Sequence, residues 1–231
     1  ASSNSILYCD ATPVFVDIDP DTYLLDVDKL AAYLEAHYEP SMKAIMPVHL
    51  FGLACDMPRI MALAKQYNLK VIEDCAQSHG AEIDGKKAGS FGDAACFSFY
   101  PTKNMTTGEG GICLFNHAAD AVVGRKYINH GRVDQYLHDV LGYNYRMTNM
   151  SAAIGLEQLK RLDGFNHQRR YNARLYDELL ANVAGLALPI EPESYRHVYH
   201  QYTIRVEGDE RDALQAYLKD HEIGSAVVYP F

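Results

Sequence analysis

Two short segments carry side chains whose types and order suit chemistry on a bound small molecule. One is Ser98-Phe99-Tyr100-Pro101-Thr102-Lys103-Asn104, a lysine in a polar, glycine-flanked loop between two apolar runs. A lysine amine forms a Schiff base when partial burial or neighbouring cations make its ammonium lose a proton easily. A lysine in such a loop can equally be an ordinary solvated cation. The other segment is Val71-Ile72-Glu73-Asp74-Cys75-Ala76-Gln77-Ser78-His79-Gly80, an apolar run that ends in an acid and continues into small and polar residues. A carboxylate at Asp74 can hold a protonated ring nitrogen, so that the ring withdraws electrons from a substrate carbon. It can also serve as a helix cap, a common use of Asp after a strand.

The elements that must position these residues alternate in type. Residues 13–18, 43–48, 71–74, 94–99 and 111–115 read as short apolar strands. Residues 26–37 carry Val27, Leu30, Ala31 and Leu34 at helical spacing behind Asp26 as cap, and 57–67 form a helix with Pro58 in its first turn. Apolar strands separated by helices make an α/β fold with a mainly parallel sheet. Ligands in such folds sit beyond the carboxyl ends of the strands, which is where Asp74 lies. Further on, 118–129, 150–162 and 165–183 read as helices, the last two parted at Gly164, with Asn149 or Ser151 as cap of the second. A strand at 198–206, a helix at 211–221 and a strand at 225–229 have the rhythm of a second, smaller unit. The expected division is 1–164 for the large domain and 165–231 for a connecting helix and the start of a small α+β domain.

Composition narrows the function classes. With 231 residues, 48% hydrophobic and 22% charged, the chain is globular in type. Its 21 basic against 30 acidic residues give a net charge of -9, which argues against a nucleic-acid binder. No apolar run approaches the roughly 18–20 residues that span a bilayer, so no membrane partner is expected. Cys9, Cys55, Cys75, Cys96 and Cys113 show no C-x-x-C spacing, so reduced thiols are expected rather than disulfides, a zinc site or an iron–sulfur centre. No G-x-G-x-x-G joins a strand to a helix, which disfavours a dehydrogenase.

Beside the two segments above stand four more: Ala11-Thr12-Pro13-Val14-Phe15-Val16-Asp17, Pro47-Val48-His49-Leu50-Phe51-Gly52, Gly108-Glu109-Gly110-Gly111 and Gly142-Tyr143-Asn144-Tyr145-Arg146-Met147-Thr148. In this order the six resemble the nucleotide-sugar aminotransferases of the DegT/DnrJ/StrS group, and the resemblance runs along essentially the whole chain. It implies the large domain of a three-layer fold-type I pyridoxal-phosphate enzyme, with pyridoxal 5'-phosphate as cofactor. It implies that Lys103 carries the cofactor and shuttles the substrate proton, that Asp74 binds the pyridine nitrogen, that Gln77 approaches the ring oxygen and that Ser98 binds the phosphate. Asn144 would reach the phosphate of the neighbouring subunit's cofactor, which implies a homodimer. The partners implied are a nucleotide-sugar substrate and an amino-acid donor, L-glutamate, in a cytoplasmic enzyme. Relatives that remove a hydroxyl group have histidine in place of the lysine, so Lys103 points to transamination.

Other residues read more plainly. His49 and His79 face the site or pack structurally, and Glu109 is a turn carboxylate. His197 and His200 would point to opposite faces of a strand. Arg169 and Arg170 would decorate a solvated helix face, and Tyr171, Leu175 and Leu179 would form core or dimer packing. The family's phosphate-binding loop would precede Ala1 and a substrate-binding histidine segment would follow Phe231, so the chain reads as the middle of a longer enzyme. A non-catalytic ligand-binding or regulatory member of the same fold is the alternative.

Overall fold

The computed structural model describes residues 1–228. A short helix, α1 (Ser2–Leu7), leads into residues that pair with nothing beyond one bridge between Ile18 and Leu25. The strand expected at 13–18 therefore does not form: among the described residues its only backbone pairing is the bridge at its end. Helix α2 (Val27–His37) follows; the Asp26 side chain caps it by accepting from the amides of Asp28 at 2.9 Å and Lys29 at 3.1 Å.

Strand β1 (Ala44–Ile45) is shorter than expected. Pro47 has no N–H to extend the ladder, although its carbonyl still accepts from Asp74 at 2.9 Å. A tight turn at Leu50–Gly52 leads to α3 (Met57–Gln66), capped by Asp56 with Pro58 in its first turn. Strand β2 (Lys70–Asp74), the hairpin β3 (Glu82–Ile83) and β4 (Lys86–Lys87), and strands β5 (Ala94–Ser98) and β6 (Gly111–Phe115) follow. The main sheet has the order β1-β2-β5-β6, with its first two pairings parallel and the last antiparallel. Val27, Leu30 and Leu34 of α2 and Met57, Ile60 and Ala64 of α3 share one core with Val71 of β2. Each large aliphatic side chain so buried contributes about 1.5–3 kcal/mol.

Helix α4 (Ala118–Tyr127) precedes a long loop, and α5 (Asn149–Leu180) then runs for 32 residues. Its cap is Thr148, whose hydroxyl accepts from the Ser151 amide at 3.2 Å, rather than Asn149 or Ser151. The expected break at Gly164 is absent: the helix passes through it, and the proposed boundary at 164/165 falls within α5. A single glycine costs less than the hydrogen bonds that a break would expose.

The last part is irregular. Strands β7 (Leu186–Ala187), β8 (Tyr195–Arg196) and β9 (Arg205–Val206) are each two residues long. β8 joins the β3–β4 hairpin and β7 pairs with β9. The expected strand at 198–206 survives only as β9. Tyr199 has a positive φ of 43°, and the segment docks instead on the Leu50–Gly52 turn, with Val198 N–H donating to the Gly52 carbonyl at 2.9 Å. Helix α6 (Arg211–Asp220) follows. Residues 225–228 form no strand; Tyr229, the end of that expected strand, lies outside the described residues. Among the described residues no helix is long and apolar enough to cross a membrane.

A continuous α5 makes Gly164→Ala stabilising by about 0.5–1 kcal/mol, since nothing lies within 4 Å of the new methyl group. Denaturant unfolding of the protein checks this; a loss of stability would mean that the helix needs glycine there.

Candidate active site

Strand β2 alternates, with Val71 and Glu73 turned into the core and Asp74 half-buried at its carboxyl end. The Glu73 carboxylate is fully buried. Its Oε1 accepts from the amides of Phe91 at 2.8 Å and Gly92 at 2.7 Å, and its Oε2 from the Gly89 amide at 2.7 Å and His49 Nε2 at 2.9 Å. Burial alone would raise its pKa, but these donors hold it below the ordinary value. The approach is close: a Cβ at Gly92 would lie 2.6 Å from the Val71 carbonyl oxygen. The Cys55 amide donates into His49 Nδ1 at 3.0 Å, so Nε2 carries the ring proton. His49 is therefore a structural residue. His49, Glu73 and Cys75 stand close enough to hold a metal ion, but both ring nitrogens and both carboxylate oxygens are already engaged by the protein.

This anchor sets the neighbouring groups. Asp74 Oδ1 accepts from the Ala76 amide at 3.0 Å, and Oδ2 from the Ser2 hydroxyl at 2.6 Å. Gln77 Oε1 accepts from the Phe51 amide at 2.7 Å, which leaves Nε2 as the free donor. Ser98 ends β5, beside β2, and its Oγ accepts weakly from the Tyr100 amide at 3.3 Å. The chain then turns, with Lys103 N–H donating to the Tyr100 carbonyl at 3.0 Å. Burial lowers the Lys103 pKa and the negative charge of Asp74 opposes the shift. Asp74, Gln77, Ser98 and Lys103 thus gather at the carboxyl ends of β2 and β5.

Asn144 is not part of this group. Asn144 is exposed, and its two sequence neighbours, Tyr143 and Tyr145, stack on one another with centroids 4.9 Å apart. Glu109 is exposed in its turn, where only its carbonyl is bonded, to Thr107. His79 is buried against Phe97, ring centroids 5.3 Å apart, and neither ring nitrogen has a hydrogen-bond partner. Burial, reinforced by Lys103, pushes its pKa down to about 4; the Ser98 backbone opposes this without reaching bonding geometry.

Three expectations are corrected. Arg169 and Arg170 do not decorate a solvated face: Arg169 Nη1 donates to the carbonyls of Tyr199 and His200 at 3.1 Å each, and Arg170 binds Glu191 and the His197 carbonyl. His197 and His200 differ in surroundings, but not through strand alternation. His197 stacks on Tyr199 at 3.9 Å, while His200 Nδ1 meets Asn104 Oδ1 at 3.2 Å. Tyr171, Leu175 and Leu179 are exposed, which rules out the core half of their expected role and leaves dimer packing. Residue pattern does not single out Glu73, Asn104 or Asn166, and it gives His200 no role beyond its place on a strand-like run. For Glu73 a signal existed: in a period-two strand it shares the face of buried Val71.

The model of the DegT/DnrJ/EryC1/StrS aminotransferase family matches residues 1–231. The UDP-N-acetyl-3-dehydro-alpha-D-glucosamine 3-aminotransferase of Acidithiobacillus ferrooxidans is 46% identical, over all of this chain and 61% of its own length. The pleiotropic regulatory protein of Geobacillus stearothermophilus is 44% identical with the same coverage. The crystal structure of S. venezuelae DesV in complex with a ketimine intermediate superposes with a TM-score of 0.93 at 34% identity, covering 100% of this chain and 61% of that one. The chain thus spans about three-fifths of the length of these relatives and has their fold.

Replacing Glu73 by Gln turns one acceptor oxygen toward amide donors as a second donor. It should destabilise the protein by about 3–5 kcal/mol. The pKa of Glu73 is depressed on folding, so its contribution is present above the ordinary glutamate range and lost as pH falls through the folded-state value. Thermal melting against pH checks this: Glu73→Gln should melt lower at neutral pH, and the gap should close in acid.

Proposed function

We propose that this chain, which belongs to the DegT/DnrJ/EryC1/StrS aminotransferase family, is part of a pyridoxal 5'-phosphate-dependent aminotransferase. It moves an amino group from L-glutamate to a keto group of a nucleotide-linked sugar. The observation that carries this is the half-buried Lys103 in the turn after β5, with Asp74 at the carboxyl end of the neighbouring strand β2. The sugar substrate is supported by the activity for which the Acidithiobacillus relative is named.

The donor set suits the cofactor: a carboxylate for a ring nitrogen, an amide N–H for a ring oxygen, a hydroxyl for phosphate and an amine for an aldehyde. When bound, pyridoxal phosphate supplies an electron sink for the negative charge that develops on the substrate carbon. Asp74 would keep the ring nitrogen protonated, Gln77 Nε2 would donate to the ring oxygen and Ser98 Oγ would hold the phosphate. Lys103 Nζ would hold the cofactor's aldehyde carbon and would carry the proton between the donor's α-carbon and the sugar carbon. Burial favours its neutral form, which a base requires.

Asn144 serves the partner subunit of a homodimer, in keeping with its exposure. The exposed apolar side chains of Ile154, Leu156 and Leu159 on α5 are of the kind that a second copy covers. A cytoplasmic location accords with the free cysteines. The Geobacillus relative's name favours a second reading, a regulatory protein on the same fold.

The half-reaction separates the two. Protein loaded with pyridoxal phosphate should show a visible absorbance band that fades with L-glutamate and returns with a nucleotide-linked keto sugar. No change with any amino donor would favour the regulatory reading. Lys103→Ala should lose the band and about a thousandfold or more in turnover. Asp74→Asn should keep the lysine-dependent band but lose turnover by about a hundredfold or more, because a neutral amide cannot hold the ring nitrogen protonated.

A further inference from the structure

Directly after Lys103, Asn104 enters the protein interior; its side chain and that of Asn166 are both buried. Asn104 Nδ2 donates to Asn166 Oδ1 at 2.8 Å and to the Val198 carbonyl at 3.1 Å, which uses both of its hydrogens. Its Oδ1 can then only accept, so His200, 3.2 Å away, donates from Nδ1. That assigns the imidazole tautomer and leaves Nε2 unprotonated. Asn166 Nδ2 in turn donates to the His79 carbonyl at 2.8 Å. This last contact is close enough that a Cβ at Gly80, where φ is +85°, would come within 2.8 Å of Asn166 Nδ2. One directed chain of hydrogen bonds therefore runs from His200 through Asn104 and Asn166 to the backbone beyond Asp74. It joins the lysine loop, α5, the C-terminal segment and the loop after β2. Arg169, donating to the His200 carbonyl, holds the far end.

We propose that Asn104 and His200 are positioning residues for Lys103: the amide clamp at Asn104, completed by the Nδ1–H of His200, fixes the turn from which Lys103 presents its amine in a partly desolvated setting. The proposal rests on the role given to Lys103 above and goes beyond it, since none of the clamp residues need touch cofactor or substrate. The titratable and charged groups around Lys103 are Asp74 from β2, His79 from the following loop and His200, with Arg169 of α5 behind His200. Burial first, then Lys103 and Arg169, push the His200 pKa down to about 4. Replacing His200 at neutral pH therefore removes a hydrogen-bond donor without removing a charge.

The test reads Lys103 directly. In the full-length protein free of cofactor, the rate of amine acylation at Lys103 is followed against pH by peptide mass spectrometry. The wild-type midpoint should lie below the ordinary lysine range. In Asn104→Ala and His200→Phe the loop loosens, desolvation is relieved, and the midpoint should rise by about half a unit to one unit. His200→Gln keeps an N–H donor for Asn104 Oδ1 and should restore the wild-type midpoint. In the loaded enzyme His200→Phe should lose about tenfold in kcat with KM for the sugar little changed, and His200→Gln should recover most of it. If Asn104→Ala does not fold, the two His200 variants decide the matter. A midpoint that is the same in wild type, His200→Phe and His200→Gln overturns the proposal while leaving the proposed function intact. A visible band that survives in Lys103→Ala overturns the function instead.

Discussion

Four donors converge on the Glu73 carboxylate: the His49 ring and the amides of Gly89, Phe91 and Gly92. An ionised carboxylate without partners could not remain in this interior, because the cost of removing it from water would exceed what packing returns. With two donors on each oxygen it becomes a fixed point instead. It joins the end of β2 to the approach of β5 and, through His49, to the segment between β1 and α3. Asp74, one residue further on, inherits its place from this anchor. The pleat turns adjacent residues to opposite faces, so one of two consecutive acids is locked into the core and the other is presented at the strand end.

The lysine loop is held by a second set of buried polar groups of a different kind. Asn104 and Asn166 are neutral amides, and their bonds run in one direction from His200 to the His79 carbonyl. Leaving one such buried group unpaired costs about 1–3 kcal/mol, so the network favours a single arrangement of the loop over its alternatives. α5 contributes Asn166 and Arg169 to it, which gives the long helix a part in the site as well as in the scaffold. Partial burial then tilts Lys103 toward its neutral form, while Asp74 limits the shift. The two networks meet at the loop after β2, where Gln77, Ser78 and His79 lie between them.

Much of this was legible from residue pattern. Helices α2 and α3 follow from helical periodicity, from Asp26 as a cap and from Pro58 at a first turn, and strands β2, β5 and β6 from short apolar runs between them. The rule that parallel sheets bind ligands beyond their strand ends places Asp74; Gln77, Ser98 and Lys103 join it through the resemblance that the six segments carry. What pattern did not reveal depends on partners far away in the chain. An apolar run at 13–18 is no strand without a neighbour to pair with. The run at 198–206 bends at Tyr199 and docks on a turn some 150 residues earlier in sequence. Gly164 looks like a break only if its local cost is counted without the rest of α5. Arg169 and Arg170 look solvated until the carbonyls of residues 197–200 arrive to accept from them. Asn104 carries no periodic signal at all, since its importance lies in three acceptors and donors more than 60 positions away.

The proposed chemistry depends most directly on Lys103 being the residue to which the cofactor is attached. Borohydride reduction of the protein loaded with pyridoxal phosphate, followed by digestion and peptide mass mapping, tests that without reference to any substrate. One modified site is expected, Lys103, in the peptide that also holds Asn104. A cofactor fixed to another lysine, or none fixed at all after loading, would contradict it.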